Sequence, residues 1–96
     1  QRELLGPVFE TSIFAELTKL HGSDNILYWR TQDRKEIDFI VRSGKKAIPI
    51  EAKLSFPRNV SAGIHTWKEM YGTTDHLMIG LNGIPTETSF IYPWQL

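Results

Sequence analysis

Glu36-Ile37-Asp38-Phe39-Ile40-Val41-Arg42-Ser43-Gly44-Lys45-Lys46-Ala47-Ile48-Pro49-Ile50-Glu51-Ala52-Lys53 is the stretch on which the fold turns. Two runs rich in β-branched residues flank a polar connection that contains a glycine, the pattern of a β-hairpin with a loop of about four residues. With Ser43 to Lys46 as that loop, Arg42 pairs with Ala47, Ile40 with Pro49, Asp38 with Glu51 and Glu36 with Lys53. Side chains alternate along a strand. Ile37, Phe39 and Val41 are therefore expected on one face, with Glu36, Asp38 and Ile40 on the other. On the second strand, Glu51 and Lys53 point away from Ile50, Ala52 and Leu54.

Directly opposed cross-strand residues have Cβ atoms roughly 4.5–5.5 Å apart, close enough for like charges to repel. Asp38 facing Glu51 therefore calls for a cation. Lys53, on the same face as Glu51, supplies one. A divalent metal would supply more, because hard ions such as Mg²⁺ choose carboxylate and carbonyl oxygens. The alternative for Lys53 is a cross-strand ion pair with Glu36, which on a surface stabilises little.

A chain of 96 residues supports one domain, 1–96, around a modest single core. It contains no cysteine, which excludes disulfides and thiolate zinc sites and leans toward the cytosol. No apolar run approaches the roughly 20 residues a membrane helix needs. The chain starts at Gln1 with sequence that already looks structured, so a piece of a longer protein is expected. Net charge is zero, which argues against coating nucleic acid by charge alone. That zero conceals an asymmetry, since Arg30 to Arg58 holds eight basic residues against four acidic ones. A basic surround on an acidic centre suits a metal site that also attracts phosphate. For Lys45 and Lys46, in the turn, a solvated hairpin edge guarded by lysines is the equal alternative.

Gly6-Pro7 is the expected start of a helix. On a wheel of about 100° per residue, Phe9, Leu20, Ile13, Leu17 and Phe14 share one arc, and Glu10 falls inside it. A carboxylate there needs a partner or a ligand; otherwise it is a solvated acid favouring the helix dipole. Ile26 to Thr31 reads as a strand, Gln32 to Lys35 as a turn, and with the hairpin these strands form a meander. Asn59 or Ser61 caps a second helix in which Ile64, Trp67 and Tyr71 share a face with Met70 beside them. Gly72 closes it. His76 to Leu81 is an apolar run expected to be a buried strand, and Ser89 to Tyr92 is a last strand. His21, His65 and His76 are spread over different elements, as surface or capping histidines would be. Gly44-Lys45 lacks the first glycine of a phosphate-binding loop, because position 39 is Phe39. Trp29, Trp67 and Trp94 are read as core or rim aromatics, Trp29 alone being near enough to the acidic cluster to stack on a base.

An αβββαβ order with an acid on the first helix, Asp38 in one meander strand and, after twelve residues, Glu51-Ala52-Lys53 in the next resembles the PD-(D/E)XK nuclease superfamily. Ile37 stands where the proline of that name would be. Gly-Pro-x-Phe-Glu at 6–10, Tyr-Trp-Arg at 28–30 and Glu-Ile-Asp-Phe-Ile at 36–40 look more specifically like the uncharacterised domain that follows the ATPase module in many prokaryotic AAA-type ATPases. The resemblance spans roughly residues 6–81. It implies a restriction-endonuclease-like α/β fold, a mixed central sheet flanked by helices. It also implies Asp38, Glu51 and the Ala52 carbonyl as ligands of Mg²⁺ (or Mn²⁺). Glu10 is implied at the same metal, at a second one, or at an attacking water, and Lys53 at the developing phosphate charge or the water. Arg30, Arg34, Lys35 and Arg58 are then candidates for contacts to DNA phosphates. The expected activity is phosphodiester hydrolysis, and the expected partner in the parent chain is an N-terminal ATPase module. The alternatives are a non-catalytic module of the same fold that gives the ATPase its nucleic-acid or protein target, and a small interaction domain whose carboxylates are relics.

Overall fold

Apolar side chains one helical turn apart lay α1 (Arg2–His21) along one face of a five-stranded sheet in this computed structural model, which describes residues 2–96. The stripe is Phe9, Ile13 and Leu17, buried against Phe39, Val41, Ile50, Ala52 and Ile79 of the sheet. Two expectations fail at the ends of this helix. It begins at Arg2 rather than at Gly6-Pro7, and Pro7 lies inside it. The fixed φ of proline is helical, so the ring removes only the bond to the Glu3 carbonyl, in opening turns where Leu4, Leu5 and Val8 remain exposed. At the other end Leu20 is exposed, because there the helix has passed the sheet and Leu20 borders a hollow beside the hairpin tip.

The strands follow in spatial order β1 (Ile26–Arg30), β2 (Glu36–Ser43), β3 (Lys46–Ser55), β4 (Leu77–Asn82) and β5 (Phe90–Ile91). The first three form an antiparallel meander and the last two run parallel to β3, which makes the sheet mixed. This is an α/β fold, with the elements through β4 in the expected order. The hairpin register is also as expected, with Arg42 opposite Ala47 and Ile40 opposite Pro49. Its loop is shorter. Ser43 pairs with Lys46, leaving Gly44-Lys45 as a two-residue turn. Gly44 has φ 63° and Lys45 has no positive φ, the arrangement of a type II′ turn, whose first position favours glycine.

The face assignments change at one point. Leu27 pairs with Ile40 but Trp29 pairs with Ile37, so Asp38 and Phe39 together oppose Tyr28. This is a β-bulge, which shifts the alternation of side chains. Ile37 consequently packs with Ile40, Ile64 and Trp67 on one face, while Phe39 and Val41 lie beneath α1 on the other. The sequence-based placement of Ile37 with Phe39 and Val41 is thereby corrected.

The second face is covered by α2 (Ala62–Tyr71), which the Ser61 hydroxyl caps by accepting from the Ile64 N–H at 3.2 Å, and which left-handed Gly72 closes. Ile64 and Trp67 are buried, whereas Met70 and Tyr71, expected on the same face, are exposed. The ten-residue helix turns away from the sheet in its last turn. Its approach depends on Gly63: a Cβ there would stand 2.2 Å from the Glu36 carbonyl oxygen. Among the described residues no helix is long and apolar enough to cross a membrane.

Gly63→Ala is expected to lower stability by about 1–3 kcal/mol, the usual cost of overpacking, or to prevent folding. Gly6→Ala, whose Cβ would meet nothing within 4 Å, is expected to be neutral or to stabilise by up to about 1 kcal/mol through helix propensity. Urea denaturation of the two variants checks the contrast.

Candidate functional site

The ladder between β2 and β3 carries its last pair at Phe39 and Ile50. Beyond it, Glu36 and Ile37 pair only with β1, while Glu51 to Ser55 pair with β4. The two strands fork, and the sequence-predicted site residues lie at the fork. Asp38 does not oppose Glu51 in the ladder; its Oδ2 accepts a hydrogen bond from the Ala52 N–H at 2.9 Å. The carboxylate has taken the place of a strand partner, which satisfies a backbone donor that the fork would otherwise strand.

Glu51 projects away from its neighbours Ile50 and Ala52, which belong to the α1 core. It is 3% exposed, and its Oε1 has no hydrogen-bond partner among the described residues. Burial raises its pKa above the ordinary 4.5; Ser61, through side chain and backbone, pulls it down, Asp38 pushes it up and Lys53 pulls it down. Ser61 can serve both tasks, since its oxygen accepts from Ile64 while its hydroxyl proton remains to be donated.

Glu10, half-buried on α1, also has a raised pKa. Burial is the main cause, followed by repulsion from Asp38, opposition from Lys53, and repulsion from Glu36. Asp38 and Lys53 therefore act on both glutamates, from α1 and from β3. Lys53 is exposed and stands in no ion pair among the described residues. Its suggested partner Glu36 is instead bound by Arg30, whose Nε and Nη2 both donate to Oε2, at 3.2 and 2.8 Å. The fork explains the exchange: Glu36 has Arg30 as its ladder neighbour, and not Lys53.

The four basic residues expected at phosphate divide into two pairs. Arg30 is held by Glu36, and Lys35 lies 3.4 Å from Asp33. Arg34, at φ 67° in the turn before β2, and Arg58, in the loop after β3, are exposed and without ion pairs among the described residues. A cavity of about 510 Å³ opens beside the fork, lined by Glu10, Tyr28, Trp29, Arg30, Glu36, Ile37 and Asp38. Glu51 and Lys53 are not in its lining. Among the described residues, no three carboxylate or imidazole side chains lie close enough together to hold a metal ion. Asp38 and Lys53 each act on Glu10 and on Glu51, but among the described residues the three acids are not gathered into one ligand set.

Two residues of this region escaped the sequence reading. Ser61 was recognised as a cap but not as a contact of Glu51. Tyr28 was only part of a motif, yet it is 71% exposed on the cavity wall. Trp29, expected to be available for stacking, packs edge-on against Trp67, centroids 5.7 Å apart. His76 is likewise no surface histidine: its side chain is 7% exposed and its Nε2 lies 2.9 Å from Ser89 Oγ.

A mixed α/β domain whose sheet forks beside Asp38 is thus the class that fold and site define. The chain belongs to the family described as Domain of unknown function (DUF4143), whose model matches residues 5–90. Comparison with curated proteins and with solved structures gives no match.

A carboxyl whose pKa is raised on folding destabilises the folded state above that pKa, and the penalty disappears as pH falls below the unfolded value. Glu51→Gln is therefore expected to melt higher than wild type at pH 7, by about 4–8 °C for each kcal/mol relieved. The difference should shrink as the pH is lowered through the raised pKa toward 4 and below. Paired thermal melts across that range measure it.

Proposed function

We propose that this chain is the nuclease-like domain of a longer ATPase and hydrolyses phosphodiester bonds in DNA with Mg²⁺ or Mn²⁺. The observation that carries the proposal is Glu51, a carboxylate almost wholly buried with one oxygen unpartnered among the described residues. Such a group is strongly disfavoured unless a cation compensates it, and it lies two residues from Lys53, which stands in no ion pair among the described residues, and within the influence of Asp38. The donors present are hard oxygens, which fit Mg²⁺ or Mn²⁺. Asp38 and Glu51 would hold the ion together with the Ala52 carbonyl, and Glu10 would face it from α1. When bound, a divalent ion polarises a phosphoryl oxygen and lowers the pKa of water.

The chain's own residues divide the remaining work. The raised pKa of Glu10 brings it closer to the range in which a carboxylate is an effective general base, and it accepts the proton of the attacking water. Lys53 offsets negative charge developing on the phosphoryl oxygens. Arg34 and Arg58 contact the DNA backbone. Arg30 and Lys35 do so once they exchange Glu36 and Asp33 for phosphate. Attachment to an ATPase rests on the resemblance of residues 6–10, 28–30 and 36–40 and on a family often found with AAA ATPases; a cytoplasmic site of action accords with that setting.

A second reading is favoured by one observation, the absence of a three-ligand group among the described residues. In it, the domain binds nucleic acid or a protein and directs the ATPase without cutting.

Thermal melts with Mg²⁺ and Mn²⁺ test the first reading. Wild type is expected to gain about 2.7 kcal/mol at a metal concentration 100 times its dissociation constant, while Asp38→Asn and Glu51→Gln gain little. Equal responses in all three overturn the metal site. Plasmid nicking that is lost in Lys53→Ala supports hydrolysis, and metal-dependent stabilisation without nicking selects the binding module.

A further inference from the structure

The exposed aromatic side chain at the candidate site is Tyr28. It is 71% exposed and is one wall of the cavity shared by Glu10, Asp38, Trp29 and Arg30. It also borders a second, smaller hollow with Glu10, Thr11, Phe14 and Phe39. Its position is imposed by the backbone, because the bulge that re-aims Asp38 consists of the two residues opposite Tyr28. The ring is backed by Phe39, centroids 6.3 Å apart at 47°, and Phe39 is in turn stacked on Phe14 at 6.0 Å. An exposed phenol backed by buried Phe39 and half-buried Phe14 is a stacking platform. On an edge strand, nothing in the sheet covers it.

Resting on the nuclease reading, we infer that Tyr28 stacks on an unpaired nucleobase, so that the site takes single-stranded nucleic acid or a frayed duplex end in preference to intact duplex. The geometry requires an unpaired base: the faces of bases inside a duplex are covered by their neighbours, whereas a base in a single strand can leave the stack and lie on an aromatic ring. Arg30 on the same wall, held by Glu36 at 2.8 Å, is placed to meet the backbone phosphate next to a base so held. Stacking on an aromatic side chain tolerates any base, which accords with a net charge of zero. Trp29, with its ring against Trp67, is a supporting wall and not the platform.

The test separates binding from cutting by working in EDTA, where no metal-dependent hydrolysis occurs. Fluorescence anisotropy compares a labelled single strand, the same strand annealed to its complement, and an abasic strand of the same length, in DNA and RNA versions. The single strand with bases is expected to bind about tenfold tighter than either the duplex or the abasic strand. Tyr28→Ala should lose that tenfold while Tyr28→Phe keeps it, and circular dichroism verifies that both fold. Equal affinity for all three ligands, no binding to any of them, or an unchanged affinity in Tyr28→Ala overturns the inference. If the preference holds and plasmid nicking fails, the inference stands and hydrolysis alone is lost. DNA and RNA arms that agree place the recognition in the base, and a preference for one places an additional contact at the sugar.

Discussion

Everything at the candidate site follows from the parting of β2 and β3 after Phe39 and Ile50. A hairpin continued in register would have set two carboxylates against each other across a ladder, an arrangement that like charge disfavours. The fork removes the conflict. The first residues of β2, Glu36 and Ile37, pair with β1, β3 continues beside β4, and the Asp38 carboxylate fills the gap by accepting the Ala52 N–H. One hydrogen bond thus closes the sheet at the place where backbone pairing stops.

The bulge opposite Tyr28 and the fork are two aspects of the same device. The extra residue in β2 lets Ile37 and Ile40 pack under α2 while Phe39 and Val41 pack under α1. Asp38 stands in the chain between Ile37 of one core and Phe39 of the other. Glu10 then approaches from the α1 side and Glu51 from the side of the Ser61 cap, and both respond to Asp38 and Lys53. Raised pKa values on two glutamates flanking one aspartate are a sign of charge held at high energy, which a cation or a proton relieves.

Packing fixes the position of the flanking helices. Gly63 allows α2 to rest on the Glu36 carbonyl, and the Ser61 cap at that helix start contacts Glu51. The helix that closes the second core therefore also controls the solvation of the site's most buried acid. Stability and site chemistry are coupled through a few residues, and an altered approach of α2 would alter both.

By itself, the sequence determined the α/β class, the strand order of the meander, the hairpin register from Ile40–Pro49 to Arg42–Ala47, the Gly72 end of the second helix, and the α1 stripe of Phe9, Ile13 and Leu17. These follow from local periodicity, turn chemistry and capping, which act over a few neighbouring residues. The sequence also predicted Asp38 opposite Glu51, but the ladder stops at Phe39 and Ile50, and Asp38 accepts from the Ala52 N–H instead. Only the tertiary structure decided that Ile37 changes face, that Glu36 belongs to Arg30, that Tyr28 rather than Trp29 is exposed, and that Leu20 and Tyr71 remain outside the core. Each of those depends on where one element ends against another, and a bulge or a strand fork is set by the competition of two neighbours for the same backbone, which no single stretch of residues records.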